Sequence, residues 1–351
     1  MFFLHRKYTK NAWFGNLIRK KIVKLHFINC NISPAFSCLE TISNVNLQHK
    51  NLKMTNKFRI IKDKTANGVM AVITIISIAF VFVMGIGLYI KSVPILEEHS
   101  LWDLVSASSW QPFKNNFGFL PFVMGTIWVT VIAILIALPL SLMTAVYLTE
   151  YAQKRVKKFV FPALDILASL PSVIFGVWGT IVVVPLISDH FAPLVSGEFS
   201  TGYTVLAAGI VLSLMLVPIL VSLFVELFST VPDDLRATAY SLGATRWQTA
   251  KNVVLKKSMP GIFASVVLAI SKALGETIAV LMVCGCLPEV PKTLLDACYP
   301  LPALIANNYG EMLSLPLYES ALMFAALLLF VVVIVFNLAS RLILRKITEY
   351  K

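Results

Sequence analysis

Apolar residues run through this chain in long blocks, separated by short stretches that hold nearly all of its charge. The blocks are Val69–Ile90, Pro121–Leu148, Phe161–Ile187, Thr204–Phe228, Gly261–Leu287 and Ser320–Leu344. Each exceeds the roughly 20 residues that carry a helix across about 30 Å of hydrocarbon. Inside lipid a helix satisfies its own backbone hydrogen bonds, so each block predicts a helix. The Pro and Gly residues within them (Pro139, Pro171, Gly176, Gly179, Pro185) are compatible with that prediction, because membrane helices tolerate both and small residues let helices approach. The pattern therefore predicts an all-α polytopic membrane protein with six transmembrane helices. Composition agrees: 58% of residues are hydrophobic, against about 45–50% in a soluble domain.

Charge supplies an orientation. The formal net charge of +12 is uneven, since residues 1–53 carry nine Lys and Arg against Glu40 alone. Of the 21 basic residues beyond that point, seventeen flank the first span, fill the loops after the second and fourth spans, or fall at the C-terminal end from Arg341 onward. Three (Lys91, Lys114, Lys292) fall on the opposite side, and Lys272 lies inside a span. An excess of Lys and Arg in short loops marks the cytoplasmic side. Both termini are thus expected in the cytoplasm, and the basic charge reads as topology rather than as a nucleic-acid surface.

Residues 1–56 read as a basic, irregular extension, with a short amphipathic piece around Phe14–Ile28. Met54 opens a plausible start just ahead of the first span, so residues 57–351 are expected to form the membrane domain and its core to occupy about 121–345. Cys284, Cys286 and Cys298 lie near the less basic face. Two readings stand: a bridge from Cys298 to one of the others if that face is oxidising, or free buried thiols. Their spacing matches no metal site.

The loop 232–260 is the longest basic-side connection. Pro232 suits a helix entry, and Asp233 and Asp234 complement the positive end of a helix dipole. Leu235, Ala239 and Leu242 recur at helical spacing. Gly243 can adopt the left-handed conformation that ends a helix. A second helix is expected over about 244–257, with Pro260 breaking it before the fifth span. A glycine-hinged helical hairpin tied to two spans is a suitable coupling device; equally, helical hairpins are common connectors with no partner at all.

Inside the fifth block stand Lys272 and Glu276. Lys272 is twelve residues past Pro260, about 18 Å along a helix axis. A charge at that depth costs at least about 2.5–3.5 kcal/mol, and ionisable residues inside membranes mark pathways. On one continuous helix the two would share a face and neutralise each other. A purely structural pair locking two spans is the competing account. Asp165, Glu150 and Glu226 read as structural residues at span edges, Asp165 within reach of the Lys154–Lys158 cluster.

The hairpin resembles the cytoplasmic motif of binding-protein-dependent ABC-importer permeases, in which Glu-Ala-Ala is followed after three residues by Gly. Ala237-Thr238-Ala239 and Gly243 stand at those positions, with Ala237 in place of the Glu. Val253-Val254-Leu255-Lys256 stands at the motif's tail, with Lys256 in place of a Pro. Further runs are similar to the PstC-type phosphate permease branch: Trp110-Gln111-Pro112, Phe117-Gly118-Phe119-Leu120-Pro121-Phe122, Leu170-Pro171-Ser172 through Gly179, and Lys272-Ala273-Leu274-Gly275-Glu276-Thr277. The resemblance implies the fold of a type I ABC importer permease. It implies a substrate pathway at Lys272 and Glu276, and an ATPase-coupling surface at Asp234, Leu235, Arg236, Ala237, Ala239, Tyr240, Gly243 and Ala244. It also implies partners: a PstA-type permease, a PstB-type ATPase dimer and a PstS-type phosphate-binding protein outside. No Gly-x-x-x-x-Gly-Lys-Ser/Thr phosphate loop occurs, so ATP hydrolysis and any nucleotide are assigned to a partner, and no cofactor or metal is expected here. Another oxyanion such as sulfate or molybdate, and an ATPase-independent channel or carrier, stand as alternatives.

Overall fold

The computed structural model describes residues 36–195, 201–310 and 316–349. Contacts divide the chain into two compact units, residues 1–81 and 82–351. Six helices are long and apolar enough to cross a membrane. They belong to α1 (Phe36–Glu98), α3 (Leu120–Tyr151), α5 (Ser172–Phe191), α6 (Val205–Ser229), α8 (Arg246–Leu274) and α11 (Pro316–Glu349). Shorter helices are α2 (Leu101–Ser106), α4 (Lys154–Ser169), α7 (Asp233–Ser241), α9 (Ile278–Leu281) and α10 (Leu301–Asn308). Residues 36–56, expected to be irregular, are helical as the start of α1. The Phe14–Ile28 piece lies outside the described residues.

The core forms around α6. Val211, Leu212, Leu216, Leu220, Phe224 and Phe228 of this helix are all at most 1% exposed. A helix apolar on every side must be covered on every side; α3 packs along its length and α8, α4 and α5 against its other faces. Close approach is built in at Gly209, where an added Cβ would collide with Ile132 of α3. Small residues at such crossings permit the backbone contact from which membrane helices gain packing energy.

A second cluster closes the end of the bundle. Trp110 and Gln111 pair antiparallel with Asn116 and Phe117 in a two-residue-per-strand hairpin. Trp110 stands edge-on to Phe117, Phe119, Phe122 and Tyr318, with ring centroids 4.9–6.0 Å apart. Edge-to-face pairs of this kind add about 0.5–1.5 kcal/mol each beyond burial. Thr126 of α3 accepts the Leu301 N–H at 2.9 Å, tying α10 to the same end.

Two of the expected spans are redrawn. The third starts at Ser172, not at Phe161: α4 ends at Ser169 and Leu170 is extended, with ψ 136°. Pro171 disfavours the helical conformation for the residue before it, and the basic turn that opens α4 removes that helix from the apolar run. Pro171 is thus a boundary and not a bend within a span. The fifth span does not begin after Pro260. Helix α8 passes from Arg246 through Pro260 to Leu274, with a π-helical stretch at Ala250–Leu255. Local π adjustments of this kind re-satisfy backbone groups that a proline frees. At the other end α8 stops thirteen residues before Leu287, and the chain from Gly275 to Pro300 is irregular apart from α9.

Candidate functional site: a fastened hairpin and a broken fifth span

The hairpin between α6 and α8 folds as its residues dictate. Helix α7 begins at Asp233 behind Pro232, with two acids in its first turn. It ends as expected at Gly243, whose φ is +82°. Ala244 N–H bonds to Ala239 O at 3.1 Å and Gly243 N–H to Tyr240 O at 3.0 Å, the double closure that a left-handed glycine allows. Helix α8 then opens with a reciprocal cap: Thr245 Oγ1 accepts from Gln248 N, and Gln248 Oε1 accepts from Thr245 N. That cap was readable as Thr-x-x-Gln at a helix start, and it shows that the second hairpin helix is the first turn of the fifth span.

Most of the expected coupling residues lie outward. Asp234, Leu235, Ala237, Tyr240 and Gly243 are exposed, while Ala239 and Ala244 are half-buried. Leu235, Tyr240 and Trp247 are each 41–47% exposed and Leu242 84%. Four large apolar side chains on so short a polar connection form a surface suited to burial by another protein.

Arg236 faces the other way. Its side chain is 16% exposed and lies 3.2 Å from Glu150 Oε1 at the end of α3, where the carboxylate is 5% exposed. The guanidinium also donates to Val231 O at 2.7 Å and Phe228 O at 2.8 Å, and to Asp233 at 3.0 Å. Only a planar fork of donors can serve a carboxylate and two carbonyls at once. Arg236 fastens the hairpin to the ends of α3 and α6. Glu150, read from the sequence as a structural edge residue, is structural in a specific sense: it is the anchor. Asp165, by contrast, is exposed and makes no ion pair among the described residues.

The charged pair of the fifth block is corrected. Lys272 lies in the last turn of α8, which ends at Leu274. Gly275 N–H bonds back to Lys272 O at 3.2 Å, and Glu276 lies beyond the helix. Glycine stabilises a helix interior less than any residue but proline, so Lys272 and Glu276 share no helix face and form no ion pair. The Glu276 carboxylate instead lies 3.5 Å from the Ala279 N–H at the start of α9. Lys272 is exposed and has no ion pair among the described residues. It continues the exposed stripe Ala264–Leu268–Lys272 of α8, which this chain leaves uncovered. Beside it, Ser271 donates to Asn337 Oδ1 of α11 at 2.8 Å, fixing the helix that carries the ammonium.

Past the break, the three thiols meet. Cys284 Sγ lies 3.8 Å from Cys286 Sγ, and Cys298 N–H bonds to Cys284 O at 2.9 Å. All three are free. The hydrogen bond from Cys286 pulls the Cys284 thiol down, but the bond with Cys298 and burial outweigh it and push it up to about 12.

Six helices long and apolar enough to cross a membrane, a polar hairpin with an apolar outer surface, and a cation without an ion pair among the described residues on an uncovered face of the fifth span are the features of a membrane-embedded subunit. Residues 137–349 match the family model of the binding-protein-dependent transport system inner membrane component. The chain is 35% identical over 256 residues to the phosphate transport system permease protein PstC of Xylella fastidiosa, covering 69% of this chain and 78% of that one. It is 32% identical over 315 residues to a probable PstC of Methanocaldococcus jannaschii, covering 86% and 97%. The chain therefore belongs to the binding-protein-dependent inner-membrane transport family, in its PstC branch. A subunit of a bacterial alginate ABC transporter shares the fold at 17% identity, with a TM-score of 0.50 over 66% of this chain and 80% of that one.

Proposed function

We propose that this chain is the permease subunit of an ATP-driven importer of inorganic phosphate. It forms half of the translocation pathway with a PstA-type permease, takes phosphate from a PstS-type binding protein outside, and is driven by a PstB-type ATPase dimer docked on its hairpin. Both termini lie in the cytoplasm, on the side of the basic loops. The observation that carries the reading is Lys272: in a chain of the PstC branch, an ammonium with no ion pair among the described residues stands in the last turn of the fifth span, on a helix face that this chain leaves uncovered. Intramembrane charge is expensive and kept where a pathway needs it, and this one suits an oxyanion. Glu276, displaced past the break, places a negative charge near the same point and limits how long the anion stays. The Arg236–Glu150 anchor supports the coupling half, because a hairpin fixed at its base transmits motion of the ATPase to α3, α6 and α8. Alternating access follows if the two states of the dimer bind the hairpin differently.

The test is uptake of radiolabelled phosphate by cells that depend on this transporter. Lys272→Ala abolishes uptake at unchanged membrane abundance; Lys272→Arg retains it, because the guanidinium keeps the charge and adds a bidentate fork. Undiminished uptake by Lys272→Ala refutes the pathway assignment. Competition by excess sulfate rather than phosphate reassigns the substrate, and uptake persisting after the ATPase is inactivated removes the coupling.

A further inference from the structure

Helix α4 has its cations at the wrong end. Lys154, Arg155, Lys157 and Lys158 occupy its first two turns, with no acid in the first turn. There they oppose the positive end of the helix dipole, and Lys154 and Lys158 are like charges four residues apart, which repel. None of the four forms an ion pair among the described residues. Lys157 reaches inward to Thr149 O at 3.4 Å; Lys154, Arg155 and Lys158 are exposed. The one acid of the helix, Asp165, lies seven residues past Lys158, about 10 Å along the axis.

The same outer surface turns apolar as the helix proceeds. Arg155, Phe159, Pro162 and Ile166 follow one another at helical spacing, all exposed, with Phe159 at 85% and Ile166 at 63%. The inward face is already occupied: Leu164 is buried, and Val156, Val160 and Phe161 pack on the core. Ahead of the helix, Tyr147 and Tyr151 at the end of α3 are exposed, aromatic residues of the kind that sit at a membrane–water interface. A helix with Lys and Arg grading into Phe and Ile lies in the interface plane of a bilayer.

We infer that α4 is an anionic-phospholipid site: Lys154, Arg155 and Lys158 bind phosphodiester headgroups of the leaflet on the basic side, while Phe159, Pro162 and Ile166 enter the acyl boundary. A protein partner would explain the cations alone. It would not explain an apolar stripe that continues from them beside interfacial tyrosines. The site adjoins Glu150, the anchor of the hairpin, so lipid charge acts next to the coupling element. The inference is independent of which substrate the subunit carries.

The test uses the purified full chain in detergent, with native mass spectrometry counting bound phosphatidylglycerol against phosphatidylcholine of the same acyl chains. A Lys or Arg near an anionic surface contributes about fivefold in affinity, so three give a preference on the order of a hundredfold for phosphatidylglycerol. Lys154→Gln/Arg155→Gln/Lys158→Gln removes most of that preference and leaves phosphatidylcholine binding unchanged; Lys154→Arg/Lys158→Arg keeps it. Equal retention of the two lipids by the wild-type chain, or an unaltered preference in the triple variant, overturns the inference. So does a triple variant that sheds a co-purifying subunit while holding its phosphatidylglycerol. If the triple variant does not accumulate, photoactivatable phosphatidylglycerol on the wild-type chain decides: crosslinks within residues 147–166 support the site, and crosslinks confined to other segments refute it.

Discussion

At the scale of single residues, Arg236 does for this hairpin what a covalent tie would do. Its partners are a nearly buried carboxylate and two carbonyls at the end of α6. Removing one member of such a pair leaves the other charge buried and unmatched, which costs about 3–5 kcal/mol. Arg236→Ala is therefore expected to destabilise the purified chain by about that amount in denaturant or thermal unfolding, and Glu150→Ala comparably. Arg236→Met combined with Glu150→Leu recovers most of the loss, since no buried lone charge remains and Asp233 is solvent-exposed; a double variant as unstable as the sum of the singles contradicts this. Sequence spacing could not disclose the pair, because the two residues are 86 apart and no periodicity links them. The thiols give a prediction in pH. Cys284 is raised from an ordinary 9.0 to about 12, so the folded chain keeps a proton that the unfolded chain loses. Stability from this group is present below about pH 9 and lost as pH rises toward 12. Alkylation of Cys284 in the folded chain should accelerate only near pH 12, whereas a midpoint near 9 would show that the thiol is neither buried nor hydrogen-bonded as described.

Among elements, the two prolines at span boundaries behave oppositely. Pro171 ends α4's run and Pro260 is carried inside α8. Local sequence permits both outcomes: a proline disfavours helix for the residue before it, yet a π-helical stretch can absorb the fault. What decides is context. Around Pro260 the chain already has a capped helix upstream at Thr245–Gln248, and α8 packs on α6, α3 and α11. Before Pro171 lies a helix whose first turns are cationic. The second, fourth and sixth spans were legible almost to their ends, because hydrophobic length alone fixes them. The end of the fifth was not, because apolar residues run on past Gly275 while the backbone stops being helical, and that took Glu276 off the face shared with Lys272. The hairpin was legible because its signals are chemical: acids after a proline, then a glycine in the left-handed region. Gly243 tests this. A Cβ there meets nothing within 4 Å, so Gly243→Ala carries only the left-handed penalty of about 1–2 kcal/mol. Hydrogen exchange of the α7 amides should quicken by roughly five- to thirtyfold while global unfolding stays put. Equal slowing or quickening throughout the chain would mean that the hairpin is not a separate local unit.

For the molecule as a whole, orientation ties the parts together. The hairpin, the base of α4 and the Arg236–Glu150 anchor all lie on the side that holds the basic loops, while the Trp110 aromatic cluster, the break after α8 and the thiols lie toward the other. If the basic side is cytoplasmic, an ATPase reaches the hairpin and a binding protein reaches the aromatic end, and Lys272 stands in the span that joins them, in its last turn. If it is not, an ATPase does not meet the hairpin, and no detail of the pathway rescues the proposed function. In a chain whose native cysteines are replaced by serine, a cysteine at Ser241 is expected to react with a membrane-impermeant maleimide only after the cells are permeabilised. A cysteine at Leu294, which is 45% exposed on the opposite side, should react in intact spheroplasts. Seventeen basic residues against three set that expectation, because Lys and Arg resist translocation. The reverse labelling pattern would leave the hairpin facing a compartment without nucleotide, and the apolar surface of Leu235, Tyr240, Leu242 and Trp247 would then have to serve a partner other than an ATPase.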